Sequence, residues 1–69
     1  MNAVAFNALF PQSSIIGQFI QEETATYFYD NGTSVGMWIV DRRTTCGHGE
    51  FVDSENAEIA RHFYGSSYR

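Results

Sequence analysis

The chain contains no lysine. Its basic residues are four arginines, Arg42, Arg43, Arg61 and Arg69, set against eight carboxylate side chains, for a net charge of −4 and a pI near 4.8. Direct binding to nucleic acid draws on several Lys or Arg contacts that displace counterions from phosphates. A chain this poor in cations has no basic patch to supply them. The acidic balance points instead to a protein partner with a basic surface, including proteins that themselves hold nucleic acid.

Cysteine is scarce as well. Cys46 stands alone, so an internal disulfide is excluded, which fits either a reducing cytoplasm or a chain that needs no such cross-link. Long apolar runs are missing. The apolar opening stretch, residues 1–10, lacks a positive flank and leads into Pro11, the one proline, not into a small-residue cleavage site. It is expected to be neither a signal peptide nor a membrane span. Charged residues are few, at 17%, yet hydrophobic residues reach 43%, so the chain is not of the disordered class.

What the chain has in quantity is aromatic rings, 16% of its 69 residues. A length of 69 residues implies one domain over 1–69. A domain of that size buries only about 60% of its unfolded surface. Each Phe, Tyr or Trp buries roughly 150–250 Å², so a few of them suffice for a small core. Self-association into a homodimer is another way to bury surface, and the sequence leaves monomer and homodimer open.

The clearest local signal is Asn31-Gly32 between two runs of aromatic and β-branched residues, 27–30 and 33–41. Asn-Gly suits a two-residue type I′ hairpin loop, in which both residues take positive φ. That loop pairs Asp30 with Thr33, Phe28 with Val35 and Tyr27 with Gly36. Alternation then divides the hairpin. Thr24, Thr26, Phe28, Val35, Met37 and Ile39 share one face, expected to be the core side. Tyr27, Tyr29, Trp38 and Val40 share the other.

The flanks are less decided. Residues 2–10 read either as a strand, by alternation of Val4, Phe6, Ala8 and Phe10, or as a short helix capped by Asn2. Residues 13–23 read either as a helix, with Ile15/Phe19 and Ile16/Ile20 at i, i+4, or as a strand. Residues 42–49 form a polar connection, and residues 50–52 a third short strand. Asp53 or Ser54 caps a helix over 55–64, with acidic residues early, Arg61 and His62 late, and Gly65 as its stop. Ile59/Phe63 and Ala60/Tyr64 form its docking stripe. Residues 66–69 are expected to fray. The fold class is therefore α+β: a small antiparallel sheet built on a central hairpin, with a C-terminal helix packed on it.

Chemistry-bearing residues are sparse. Cys46 and His48, with His62, Glu50 and Asp41, supply the ligand types of a zinc site, but not the spacing of an established motif. Cys46 with either histidine supplies a nucleophile and a base, but nothing in the sequence holds the base in place. The expectation is a protein without cofactor or metal and without catalytic residues. Partner-binding candidates are of two kinds. Glu50, Asp53, Glu55 and Glu58 fall within nine positions with no basic residue among them. They form either an acidic surface for a basic groove or the ordinary acidic start of a helix with a Glu58–Arg61 or Glu58–His62 pair. Tyr27, Tyr29 and Trp38 form either an exposed aromatic patch of the kind enriched at binding hot spots or a second core layer under the N-terminal segment. Arg42 and Arg43, adjacent in a strand, point to opposite faces and read as a solvated strand end.

The Tyr-Phe-Tyr-Asp-Asn-Gly hairpin, the closing Asp-Ser-Glu-Asn-Ala-Glu-Ile-Ala helix, the acidic pI and the lack of a catalytic motif give the chain a general character. In that character it resembles the small acidic phage and mobile-element proteins that block bacterial defence, the anti-CRISPR proteins among them. The resemblance carries no residue roles over. It implies stoichiometric inhibition in the host cytoplasm, by docking on a nucleic-acid-handling complex and occluding its groove. The alternative is a small structural or assembly subunit acting through self-association.

Overall fold

Asn2 Oδ1 accepts the Ala5 N–H at 2.9 Å and starts helix α1, Ala3–Leu9, in the computed structural model, which describes residues 1–65. Of the two readings of the opening segment, the capped helix is the one adopted. Phe10 leaves the helical conformation ahead of Pro11, as a residue before proline tends to do. A 3₁₀ turn, Gln12–Ser14, leads into strand β1, Ile15–Ile20. The strand reading of residues 13–23 therefore holds, in keeping with three β-branched residues among six. Strands β2, Thr24–Asp30, β3, Val35–Asp41, and β4, Gly47–Phe51, complete an antiparallel sheet in the order β1-β2-β3-β4. Helix α2, Ser54–Gly65, closes the described chain. The expected fraying of residues 66–69 lies outside the described residues.

The central hairpin forms with its tip displaced by one residue. Asp30 pairs with Val35, Tyr29 with Gly36 and Phe28 with Met37, so the expected Asp30–Thr33, Phe28–Val35 and Tyr27–Gly36 pairs are replaced. Within the turn only Gly32 has positive φ, at 92°. Asn31 stands at the base of the turn instead of its tip, because its side chain is engaged on both sides. Its Oδ1 accepts from Thr33 N at 2.9 Å and Ser34 N at 2.7 Å, and its Nδ2 donates to the Leu9 carbonyl at 3.0 Å. The aromatic ring expected across from Gly36 is Tyr29, not Tyr27.

The third strand also differs from expectation. It starts at Gly47 and ends at Phe51, taking in three residues of the expected polar connection and leaving Val52 outside. The β3–β4 turn is held by Asp41, whose Oδ1 accepts from Arg43 N and whose carbonyl accepts from Thr45 N, with Thr45 at φ 61°.

Both faces of the sheet are covered, each by one helix. On one face Phe6 and Phe10 of the α1 segment pack on Tyr29, with Ile15, Tyr27 and Trp38 around them. The Phe6 ring meets Tyr29 edge-on at 5.1 Å and lies 5.3 Å from Trp38. Close approach here relies on the bare backbone of Gly36, where a Cβ would stand 2.6 Å from the Phe10 ring. On the other face Ala57 and Ala60 of α2 pack on Val35, flanked by Phe28, Val52 and Tyr64. Tyr64 stacks on Phe28 at 4.6 Å. The architecture is α+β: a four-stranded antiparallel sheet with the C-terminal helix packed on it.

One expectation about α2 is corrected. Ala60/Tyr64 is part of its contact, but Ile59/Phe63 is not. Ile59 is 61% exposed and Phe63 69% exposed. The helix rests on its small residues, and the bulk at the contact comes from the sheet.

Candidate interaction site

Because α2 docks through Ala57, Ala60 and Tyr64, the neighbouring stripe of Asn56, Ile59 and Phe63 overhangs the sheet beside it. Phe28 and Met37 form the floor under that overhang. Phe51, Val52 and Asp53 line its remaining wall, and together these residues enclose a groove of about 430 Å³. Its lining is mostly apolar, and Ile59 and Phe63 are each more than half exposed, whereas the Phe51 ring turns to the other face of the sheet, 5.8 Å from Phe10. Exposed apolar side chains gathered in one concavity are the usual mark of an interaction surface. Ile59, Phe63 and Met37 were not legible as surface residues in the sequence. The available signal was the pair Ala57 and Ala60, whose spacing allows a helix to sit close on a sheet.

The acidic run divides around this groove. Asp53 lines it and also caps α2, its Oδ1 accepting from Asn56 N at 2.8 Å. Glu50 sits on β4 across from Met37, with Oε1 3.5 Å from His48 Nε2. Glu55 lies exposed in the first turn of α2. Glu58 is on the opposite flank of the helix, lining a shallow depression with Ser34, Ser54 and Arg61. All four are exposed, but the helix separates Glu58 from Asp53.

Arg61 forms an ion pair with Asp30, Nε to Oδ2 at 3.0 Å. Burial pushes the Asp30 carboxyl up. The Arg61 hydrogen bond, the Gly32 N–H and the Arg61 charge together outweigh that and hold it below its ordinary value.

The aromatic candidates resolve differently. The N-terminal segment covers their face, as a second core layer would. Tyr29, named as a partner-binding residue, is only 5% exposed and is a core residue. Its hydroxyl donates to Gln12 Oε1 at 3.3 Å. Burial raises its phenol above the ordinary value, the Gln12 bond opposes this, and Tyr27 adds to the rise. Tyr27 and Trp38 remain half-buried and line a second groove, of about 440 Å³, with Ala3, Asn7 and Gln12.

Cys46 is exposed and shares a shallow depression with Asp41, Thr44 and His48. His62 is on α2. Among the described residues no three His, Cys, Asp or Glu side chains converge as a metal site would require. Arg42 is tied down: its Nη1 donates to the Gln21 carbonyl at 2.5 Å, bracing the β1–β2 turn.

No protein-family model, curated protein or solved structure matches the chain. Among the described residues no helix is long and apolar enough to cross a membrane.

Proposed function

We propose that this chain is a small acidic protein-binding inhibitor. It docks on a nucleic-acid-handling protein complex in the host cytoplasm and blocks the groove where nucleic acid would lie, as an anti-CRISPR-like phage protein would. It acts by occupancy, not by catalysis. The observation that carries the reading is the corner where β4 meets α2. There the exposed apolar side chains of Ile59 and Phe63 stand beside the exposed carboxylate of Asp53, with Glu50 on the sheet face that carries Met37 and Glu55 one helical turn before Ile59. An apolar anchor with an acidic surround suits a basic, partly apolar partner surface: burial supplies affinity, and charge complementarity supplies orientation and speed of encounter.

The test is capture from a host lysate with the wild-type chain and with Phe63→Glu and Glu50→Lys variants, followed by a nucleic-acid-binding assay on the captured complex. The reading expects a complex that both variants lose and whose nucleic-acid binding falls on stoichiometric addition of the wild-type chain. A captured protein retained by both variants, or one whose nucleic-acid binding is unchanged, overturns it.

A further inference from the structure

The groove on the α1 face of the sheet differs in kind from the one beside α2. In a chain of net charge −4, none of the residues that line it is charged. Tyr27, Trp38 and Val40 come from the sheet beneath it, and Asn7 and Gln12 bring side-chain amides from α1 and the 3₁₀ turn. Its volume of about 440 Å³ is that of a small-ligand site. Taking a charge out of water without a partner is costly, so this lining selects a neutral ligand.

The polar groups of the groove are weighted toward donors. The Tyr29 hydroxyl donates to Gln12 Oε1 at 3.3 Å, which engages the acceptor end of that amide and leaves Nε2 to donate. The Trp38 indole N–H can only donate. Among the described residues, Trp38 Nε1, the Tyr27 hydroxyl and the Asn7 amide have no hydrogen-bond partner, and none of them is sealed from solvent. The indole is also held in place. It lies 5.3 Å from the Phe6 ring, and its Nε1 edge rests on β4, where a Cβ on Gly47 would stand 2.7 Å away. A ring fixed before binding loses little freedom on binding.

We propose that this groove binds a neutral, proline-rich segment of a partner protein in the polyproline II conformation. Such a segment leaves its backbone carbonyls free and has no N–H at its prolines, so it calls for donors and not acceptors. Proline-rich segments dock in aromatic-lined grooves, and their preformed helix loses little entropy in doing so. A neutral oligosaccharide also packs on aromatic rings, but its hydroxyls donate as well as accept. Here one of the two amide acceptors is already taken by Tyr29. The excess of donors over acceptors, in a lining without charge, is what selects the peptide. The inference is independent of the acidic site, which lies on the α2 face of the sheet.

The experiment is a titration of the full chain with end-capped decaproline, read by calorimetry and by the fluorescence of Trp38, the single tryptophan. Parallel titrations use a Gly-Ser peptide of equal length and cellohexaose. The proposal expects saturable binding of decaproline and none of the other two. Tyr27→Phe and Asn7→Ala should each raise the dissociation constant by about fivefold, with the circular dichroism spectrum unchanged. Phe63→Glu, on the other face, should leave it unaltered. A decaproline titration that is flat by both readouts overturns the proposal. So does a Gly-Ser peptide or cellohexaose that binds as tightly as decaproline, full affinity in both Tyr27→Phe and Asn7→Ala, or loss of affinity in Phe63→Glu.

Discussion

Arg61 grips Asp30 with two nitrogens, Nε to Oδ2 at 3.0 Å and Nη2 to Oδ1 at 3.4 Å, and so ties α2 to the strand that leads into the hairpin tip. The same carboxylate accepts the Gly32 N–H at 2.9 Å, which links the turn geometry to the helix position. Asp30 therefore joins two features that are far apart in sequence.

The pair gives stability a defined pH dependence. The Asp30 carboxyl is held low in the folded state, so its contribution is complete above the unfolded value, near 4, and is lost as pH falls through the folded value. Arg61→Gln should cost about 1 kcal/mol or less at pH 7, because both partners are partly exposed. Urea unfolding at a series of pH values should show the gap between wild type and variant closing as pH drops below about 4. A gap that stays constant with pH would mean that the pair acts through packing and not through charge.

Gly32→Val should destabilise by roughly 1–3 kcal/mol, through backbone strain alone. Gly32 sits at φ 92°, and a Cβ there would meet nothing within 4 Å. Steric clash is thus excluded as the cause, and Gly32→Ala should lose stability for the same reason. A thermal unfolding midpoint equal to wild type in either variant would contradict the turn geometry.

Phe63→Ala should cost less than about 1 kcal/mol, since the ring is 69% exposed. Ala60→Leu should cost about 1–3 kcal/mol, because the added atoms would be forced between α2 and Val35. Denaturant midpoints for the two variants decide between the docking stripes. A large loss from Phe63→Ala with none from Ala60→Leu would restore the Ile59/Phe63 stripe.

The reason the sequence pointed to the wrong stripe is physical. On a helix, Ile59/Phe63 and Ala60/Tyr64 are adjacent stripes, and apolar bulk favours the first. The sheet surface decides for the second. Val35, Phe28 and Val52 already fill the space, so small residues on the helix fit best. The hairpin shows the opposite case. A tip displaced by one residue moves every partner by two, and a shift of two keeps each side chain on its face. The two-faced division of residues 24–41 was therefore legible, although none of the three expected pairs formed. The groove was not legible, because it depends on the angle between α2 and the sheet, which no local pattern encodes.

Binding to a basic partner should depend on the groove and the carboxylates together, and unequally among the carboxylates. Glu50 lies on the sheet face beside the groove floor, while Glu58 lies across the helix next to Arg61. Reversing Glu50 to Lys places a cation where the partner's basic surface should approach. Reversing Glu58 also puts a like charge beside Arg61, so any loss it causes mixes binding with stability. Asp53 is a poor probe, because it caps α2. With a partner in hand, Glu50→Lys should slow association and flatten its salt dependence. Ile59→Ala and Phe63→Ala should instead speed dissociation, by about tenfold or more if these side chains are anchors. Stopped-flow or surface-based kinetics at low and moderate salt separate the two effects. Full retention of both rates in Glu50→Lys and Phe63→Ala, with loss instead from Trp38→Ala, would move the interface to the half-buried aromatic groove under α1.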